Sequence, residues 1–413
     1  MKTSTPRPSN TDSAVAVSNT SRRNFLTGAA ALTVSAAAGP RTMAALVAPA
    51  PHPNSTRILV GSGTPDGILS FAWDAKTGSL TPEGVAAKIS HSTWLDVSPD
   101  RRFLYVACEL DEFEGKPTGS VASFGLSNGK LTAISNVSAQ GKGTCHLATD
   151  HTGKVVICAN YAGGTASSYL SNAGKLGDAA WNERYTGYPD GKAPVPDRQE
   201  QAHAHFASLS PDNRFAYIND LGADKIHIYK LDTATAKLTP AGAYAAKPGD
   251  GPRTLHFHPN GKVAYCINEL NSSVTVLQHN AADGTLSPIQ NVSLSPRTKS
   301  DDGRPFSNTA CDAVLTRDGK FAYFANRGDD FIMGFHIAAD GKLTEFPSQS
   351  RIWSGGTTPR NFTLDPTERW MLVANQVSSN LSVFARDPAT GILSSKGTNT
   401  PAATPMCIVF CVD

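Results

Sequence analysis

Charge of either sign is scarce in this chain. Only 17% of its 413 residues are Asp, Glu, Lys or Arg, and the formal net charge is +2. That leaves no basic footprint for nucleic acid. Long apolar runs are scarce too. Beyond an Ala-rich stretch near the N-terminus, no segment is long and apolar enough to span a membrane, so the mature form is expected to have no membrane partner. No Cys-x-x-Cys occurs and no His/Cys pair stands at metal spacing, so no metal and no cofactor are expected. Seven cysteines cannot all pair. Cys145, Cys158, Cys266, Cys311, Cys407 and Cys411 fall within or beside apolar strands, where cysteine serves as a small buried hydrophobe.

What the chain does have is repetition. An apolar strand returns as Leu69-Ser-Phe-Ala-Trp73, Val121-Ala-Ser-Phe124, Ala166-Ser-Ser-Tyr169, Ile226-His-Ile-Tyr229, Val274-Thr-Val276, Ile332-Met-Gly-Phe335 and Leu381-Ser-Val-Phe384. Each is followed by a turn and a leucine, from Gly78-Ser-Leu80 to Gly391-Ile-Leu393, at a spacing of about 52 residues. Short alternating strands at such a period, with Gly/Asn/Asp turns, predict an all-β fold, a seven-bladed β-propeller. Six repeats open on a strand ending in a turn, such as Thr93-Trp-Leu-Asp-Val-Ser-Pro99. The first repeat, beginning at Arg57, has none, while the chain ends on an unpaired strand, Met406-Cys-Ile-Val-Phe-Cys411. The C-terminal strand is therefore expected to complete the N-terminal blade and close the ring, removing open sheet edges.

The first 50 residues differ in kind. Ser21-Arg22-Arg23-Asn24-Phe25-Leu26 precedes a weakly apolar stretch from Gly28 to about Ala50. Twin arginines before such a run read as a Tat export signal, with Ala38, Ala44 and Ala50 as candidate ends. The expected organisation is a signal over 1–50 and one propeller domain over 51–413. Five basic residues and one acidic residue lie in the signal, so the remainder carries a formal charge of −2. Tat machinery is the expected export partner, the periplasm or exterior the destination, and a monomer the expected state.

In a propeller the innermost strand of each blade begins at one mouth of the channel, and the next strand returns to it. The first positions collect His91, His146, His203, His205, Arg253, Asp312, Arg360 and Met406. The second collect Glu109, Tyr161, Asp220, Glu269, Arg327 and Gln376. Arginines among carboxylates and histidines bind anions bidentately, and a His or Glu beside them can move protons. A small anionic or sugar-like ligand fits that rim. His203 and His205 alternate on a strand, so only one is expected to reach it. The connection from Gly177 to Gln201, with Trp181, Tyr185, Tyr188 and Pro196-Asp197-Arg198-Gln199-Glu200, is long enough to serve as a partial lid.

Six segments in register with the blades carry a family resemblance: Arg198-Gln-Glu-Gln-Ala-His203-Ala-His205, Gly251-Pro-Arg253, Phe257-His-Pro-Asn-Gly261, Asn268-Glu-Leu270, Asn326-Arg-Gly328 and Pro359-Arg360. Over residues 57 to 413 the chain resembles the seven-bladed-propeller lactonases, which include 6-phosphogluconolactonases and carboxy-muconate lactonizing enzymes. The resemblance implies a metal-free channel site that opens or closes a lactone ring, with His205, Arg253, Glu269 and Arg327 as functional residues. Glu269 is then the expected general base, His205 base or acid, and Arg253 and Arg327 the oxyanion and anion partners. His203, Arg198, Gln199, Asp312, Arg360 and His146 are expected to bind substrate. Three positions depart from the pattern: Thr254 and Val314 replace histidines, and Gly61-Ser-Gly-Thr64 replaces Gly-Thr-Tyr-Thr. Hydrolysis of a sugar-acid lactone is the leading expectation. Cyclisation of a muconate-like diacid and a non-catalytic ligand- or protein-binding propeller remain alternatives.

Overall fold

The computed structural model of the chain describes residues 56–295 and 308–411. The expected export signal, residues 1–50, lies outside the described residues. Seven antiparallel sheets follow one another around a channel, each a blade. Blade 1 is closed by the two chain ends: Pro405–Cys411 lies innermost and pairs with Thr56–Ser62, placing Ile58 opposite Phe410 and Val60 opposite Ile408. Blades 2 to 7 open on Ser92–Val97, Thr144–Thr149, Ala204–Leu209, Pro252–Phe257, Thr309–Leu315 and Pro359–Leu364.

Burial falls from the inside outward. All six residues of Val155–Asn160, Phe215–Asp220 and Val263–Asn268, the second strands of blades 3 to 5, are buried, whereas Ser79–Ala87 at the outer edge of blade 1 buries none fully. A strand covered on both faces must be continuously apolar, and an edge strand polar. Neighbouring blades share their cores. Ile58, Val60 and Trp73 of blade 1 pack with Leu372, Ala374, Leu381 and Val383 of blade 7. On its other side, Leu59 and Ile68 meet Leu95, Leu104 and Val106 of blade 2.

The repeated Gly-x-Leu has a physical cause. Tyr217 on blade 4 donates its hydroxyl to the carbonyl of Gly284 on blade 5 at 2.9 Å, and Tyr265 on blade 5 does the same to Gly341 on blade 6 at 2.9 Å. Both glycines have positive φ, and a Cβ would stand 2.6 Å from Phe215 at Gly284 and 2.5 Å from Val263 at Gly341. At these two positions glycine lets the turn of one blade seat against the strand of the blade before it; blade 4 has Ala236 in the equivalent turn, buried and with a φ of 56°.

Two expectations are corrected. Trp181–Arg184, read as part of a long connection, is the outer strand of blade 3 and pairs with Thr165–Ser168. The segment left for the expected lid is shorter, from Tyr185 to Gln201, and includes a 3-10 turn at Pro189–Gly191. The innermost strands are also not regular. Each opens with a β-bulge that shifts the register by one residue: Thr93, Cys145, His205, Arg253 and Arg360 are bulged in blades 2 to 5 and 7, Met406 in blade 1, and the shift in blade 6 spans Cys311 and Asp312. Bulges re-aim side chains. Here Cys145 Sγ lies 3.3 Å from the carbonyl of His205, and Cys311 Sγ 2.7 Å from that of Arg360, so bulge leans on bulge around the mouth. All seven cysteines are buried thiols.

Just below, the channel narrows to a packed waist. His146 stacks on Phe206 at 3.7 Å and lies 4.2 Å from Trp94, while Asn361 Nδ2 donates to Asp312 at 2.9 Å. Beyond the waist, the opposite face opens into a cavity of about 950 Å³ whose lining includes Asp96, Val314, Thr363 and Val409. Burial pushes the Asp96 carboxyl up to about 6, against the Thr149 amide that donates to it at 2.7 Å. The ionised form therefore opposes folding, a cost that builds as the pH rises from 3.8 to about 6 and is complete above it, while below 3.8 the protonated form carries none. Asp96→Asn is expected to stabilise the protein above pH 6 by about 1 kcal/mol, since solvent reaches this half-buried residue. The gain should vanish below pH 4, as read by thermal melts across pH.

Candidate active site

Glu269 stands at the centre of the mouth. It directly follows Val263–Asn268, its amide donates to the Gly251 carbonyl at 2.8 Å, and it is 3% exposed. Three guanidiniums converge on it. Arg253 Nε donates to Oε2 at 2.9 Å, Arg327 Nη2 lies 2.8 Å from the same oxygen, and Arg198 Nη2 reaches Oε1. Burial alone would raise this carboxyl, but Arg327, Arg198 and Arg253 outweigh it and hold it well below the usual carboxylate range. Arg253 is itself braced, with Nη1 donating to the Cys311 carbonyl. Three cations around one anion leave the mouth with positive charge to spare. Arg360 adds a fourth guanidinium, 3.7 Å from Glu109.

His205, the bulged residue of blade 4, faces this cluster. Burial and then the charge of Arg253 hold its imidazole well below its ordinary pKa, so it is neutral at pH 7. Its buried Nδ1 has no hydrogen-bond partner among the described residues, nor does Arg198 Nε or Arg327 Nε. Tyr161 completes the wall: its ring stacks on His203 at 4.3 Å, lies edge-on to His205 at 5.4 Å, and its hydroxyl accepts from Arg198 at 3.3 Å. Both histidines thus meet Tyr161, contrary to the expectation that alternation separates them. His203 precedes the strand and His205 is bulged out of its register, so a period of two does not apply.

The structure gathers Arg198, His203, His205, Arg253, Glu269 and Arg327, with Arg360 on the same rim. Three other expected binders have tasks in the fold. His146 is sealed into the aromatic waist and accepts from the Ala207 amide at 3.2 Å. Asp312 pairs with His256 at 2.9 Å as well as with Asn361. Gln199 donates to the Leu221 carbonyl at 3.0 Å and to Asp224 at 2.8 Å, fastening the lid. His203 has both nitrogens engaged, 3.0 Å from the Tyr161 carbonyl and 3.1 Å from Glu200, which orients it rather than leaving it to move protons. The departure at Val314 falls in the cavity of the opposite face and leaves the mouth untouched. Sequence reasoning missed Asp224 altogether; its only trace is an Asp in a turn, because its partners are distant in the chain.

Residues 57–410 match the family model "Lactonase, 7-bladed beta-propeller". The chain belongs to that lactonase family. Its enzyme class, lactone hydrolase, follows from that membership. It is 32% identical over 352 residues to a 6-phosphogluconolactonase of Bacillus subtilis, covering 84% of this chain and 95% of the relative. A 6-phosphogluconolactonase of Formosa agariphila is 31% identical over 335 residues, covering 79% and 90%. Among solved structures, the periplasmic gluconolactonase of Pseudomonas aeruginosa superposes with a TM-score of 0.78 at 30% identity, covering 86% of this lactonase and 99% of that chain.

Proposed function

We propose that this lactonase hydrolyses an anionic or hydroxyl-rich sugar-acid lactone at the mouth of its channel, after Tat-dependent export to the periplasm. The surplus positive charge around Glu269 carries the substrate reading, since a buried excess of guanidinium favours an anion or a developing oxyanion. The twin arginines Arg22 and Arg23 carry the destination. The relatives include both phosphorylated and plain gluconolactone enzymes by name. A periplasmic location favours the plain lactone.

The base role expected of Glu269 passes to His205. Both Glu269 oxygens are held by arginines, and a carboxylate so stabilised is a weak proton acceptor. The neutral imidazole of His205, beside the cluster, takes a proton from water as its oxygen bonds to the ring carbonyl carbon. Arg327 and Arg198, each with an unpartnered Nε, stabilise the resulting oxyanion. The tetrahedral species collapses by breaking the ring C–O bond, and the imidazolium returns its proton to the leaving alkoxide. The product is a hydroxy acid, which ionises and releases one proton at neutral pH.

Proton release from gluconolactone, 6-phosphogluconolactone and a muconolactone tests this directly. Fastest turnover of the plain lactone is expected; preference for the muconolactone would replace the reading with cycloisomerase chemistry, and no turnover of any would sink it. Because His205 is held neutral, the acid limb of kcat/KM is expected well below pH 6.5. His205→Ala should abolish that limb and lower turnover about a hundredfold or more. A limb at 6.5 that survives the substitution would remove His205 from the mechanism.

A further inference from the structure

Asp224 lies outside the cluster, in the turn between Phe215–Asp220 and Lys225–Asp232, buried and with a φ of 51°. Asp tolerates that left-handed backbone better than most residues, but seldom without cause. The cause is its carboxylate, which accepts four hydrogen bonds. Oδ2 takes the Tyr188 hydroxyl at 2.5 Å, Gln199 Nε2 at 2.8 Å and the Gly249 amide at 2.7 Å; Oδ1 takes the Gly251 amide at 2.6 Å. Two donors belong to the lid and two to the connection before Pro252–Phe257.

One donor on each side stands close to a site residue. Gln199 adjoins Arg198. Gly251 stands two residues before Arg253, and its carbonyl receives the amide of Glu269 at 2.8 Å. The lid and the blade 5 loop approach the mouth from different elements, and this carboxylate ties them both. We infer that Asp224 is a positioning residue: it fixes where the lid's Arg198 and the loop's Arg253 meet Glu269. The inference rests on the site reading above.

Asparagine is nearly isosteric but cannot accept at both positions. In its better orientation the amide keeps its oxygen toward Tyr188, Gln199 and Gly249 and turns NH2 against the Gly251 amide, setting donor against donor. Asp224→Asn is thus expected to lower kcat/KM on gluconolactone about ten- to hundredfold while the full-length protein still melts cooperatively. The deciding measurement is a double-mutant cycle with Arg198→Met. If Asp224 acts by placing Arg198, the double variant should lose at least about fivefold less than the product of the single losses. Losses that multiply would overturn the inference and leave the site reading intact, provided Arg198→Met alone lowers turnover. An Arg198→Met variant as active as the wild type would overturn both. Should Asp224→Asn fail to fold, Tyr188→Phe removes one of the four bonds from the lid side, and the same cycle with Arg198→Met decides on the same criterion.

Discussion

A chain lacking residues 404–413 will not fold. The deleted segment holds the strand Pro405–Cys411, which supplies the innermost strand of blade 1. Met406, Cys407, Ile408 and Cys411 are buried in it; Cys407 and Cys411 pack with the core shared with blade 2, and Ile408 with that shared with blade 7. Burial of such side chains contributes about 1.5–3 kcal/mol each, so their loss approaches the roughly 5–15 kcal/mol by which a whole domain is stable. Truncation also bares the edge of Thr56–Ser62, a ready template for aggregation. Circular dichroism during heating is the measurement. A cooperative transition in the truncated protein would show that the ring does not need this strand.

Glu269→Gln should produce the largest loss of activity that leaves the fold recognisable. The substitution keeps the shape and removes the one negative charge among Arg198, Arg253 and Arg327. Breaking a buried ion pair by deleting one partner costs about 3–5 kcal/mol, because the remaining charge stays buried without compensation. The three guanidiniums are then left facing one another, and the Arg198 side chain loses its carboxylate partner. Turnover should fall by at least about a hundredfold, and the melting temperature should fall with it. The melting loss should be partly recovered in Glu269→Gln/Arg198→Met, since one unneutralised cation is then gone. Wild-type turnover by Glu269→Gln would remove this carboxylate from the site.

Much of this protein was legible in its sequence, for a reason rooted in packing. Blades share cores, so the repeats present a common apolar third strand and, in six of the seven, a Gly-x-Leu turn, and the period follows. Closure was legible because strands could be counted and one was left over at Met406. Glu269 and Arg327 were legible because they stand at the ends of regular second strands. The innermost strands misled at two points. Their bulges fall at Thr93 and Cys145, whereas reading the first positions of these strands selects His91 and His146, and no local composition marks a bulge. The same irregularity allows His203 and His205 to share Tyr161. Trp181–Arg184 was obscured by its brevity, since four residues carry too little alternation to declare a strand. Asp224 was hidden for a different reason: its four donors come from segments that only the folded chain brings together.

The seam in blade 1 sets the order of events in the life of the molecule. Among the described strands Thr56–Ser62 is the first to leave the ribosome, yet its partner Pro405–Cys411 is the last. Six blades can assemble from neighbours in sequence while synthesis proceeds, but the circle waits for Pro405–Cys411. Interrupted translation products would therefore lack a finished ring and fall to proteolysis. A closed ring certifies that synthesis has passed Cys411.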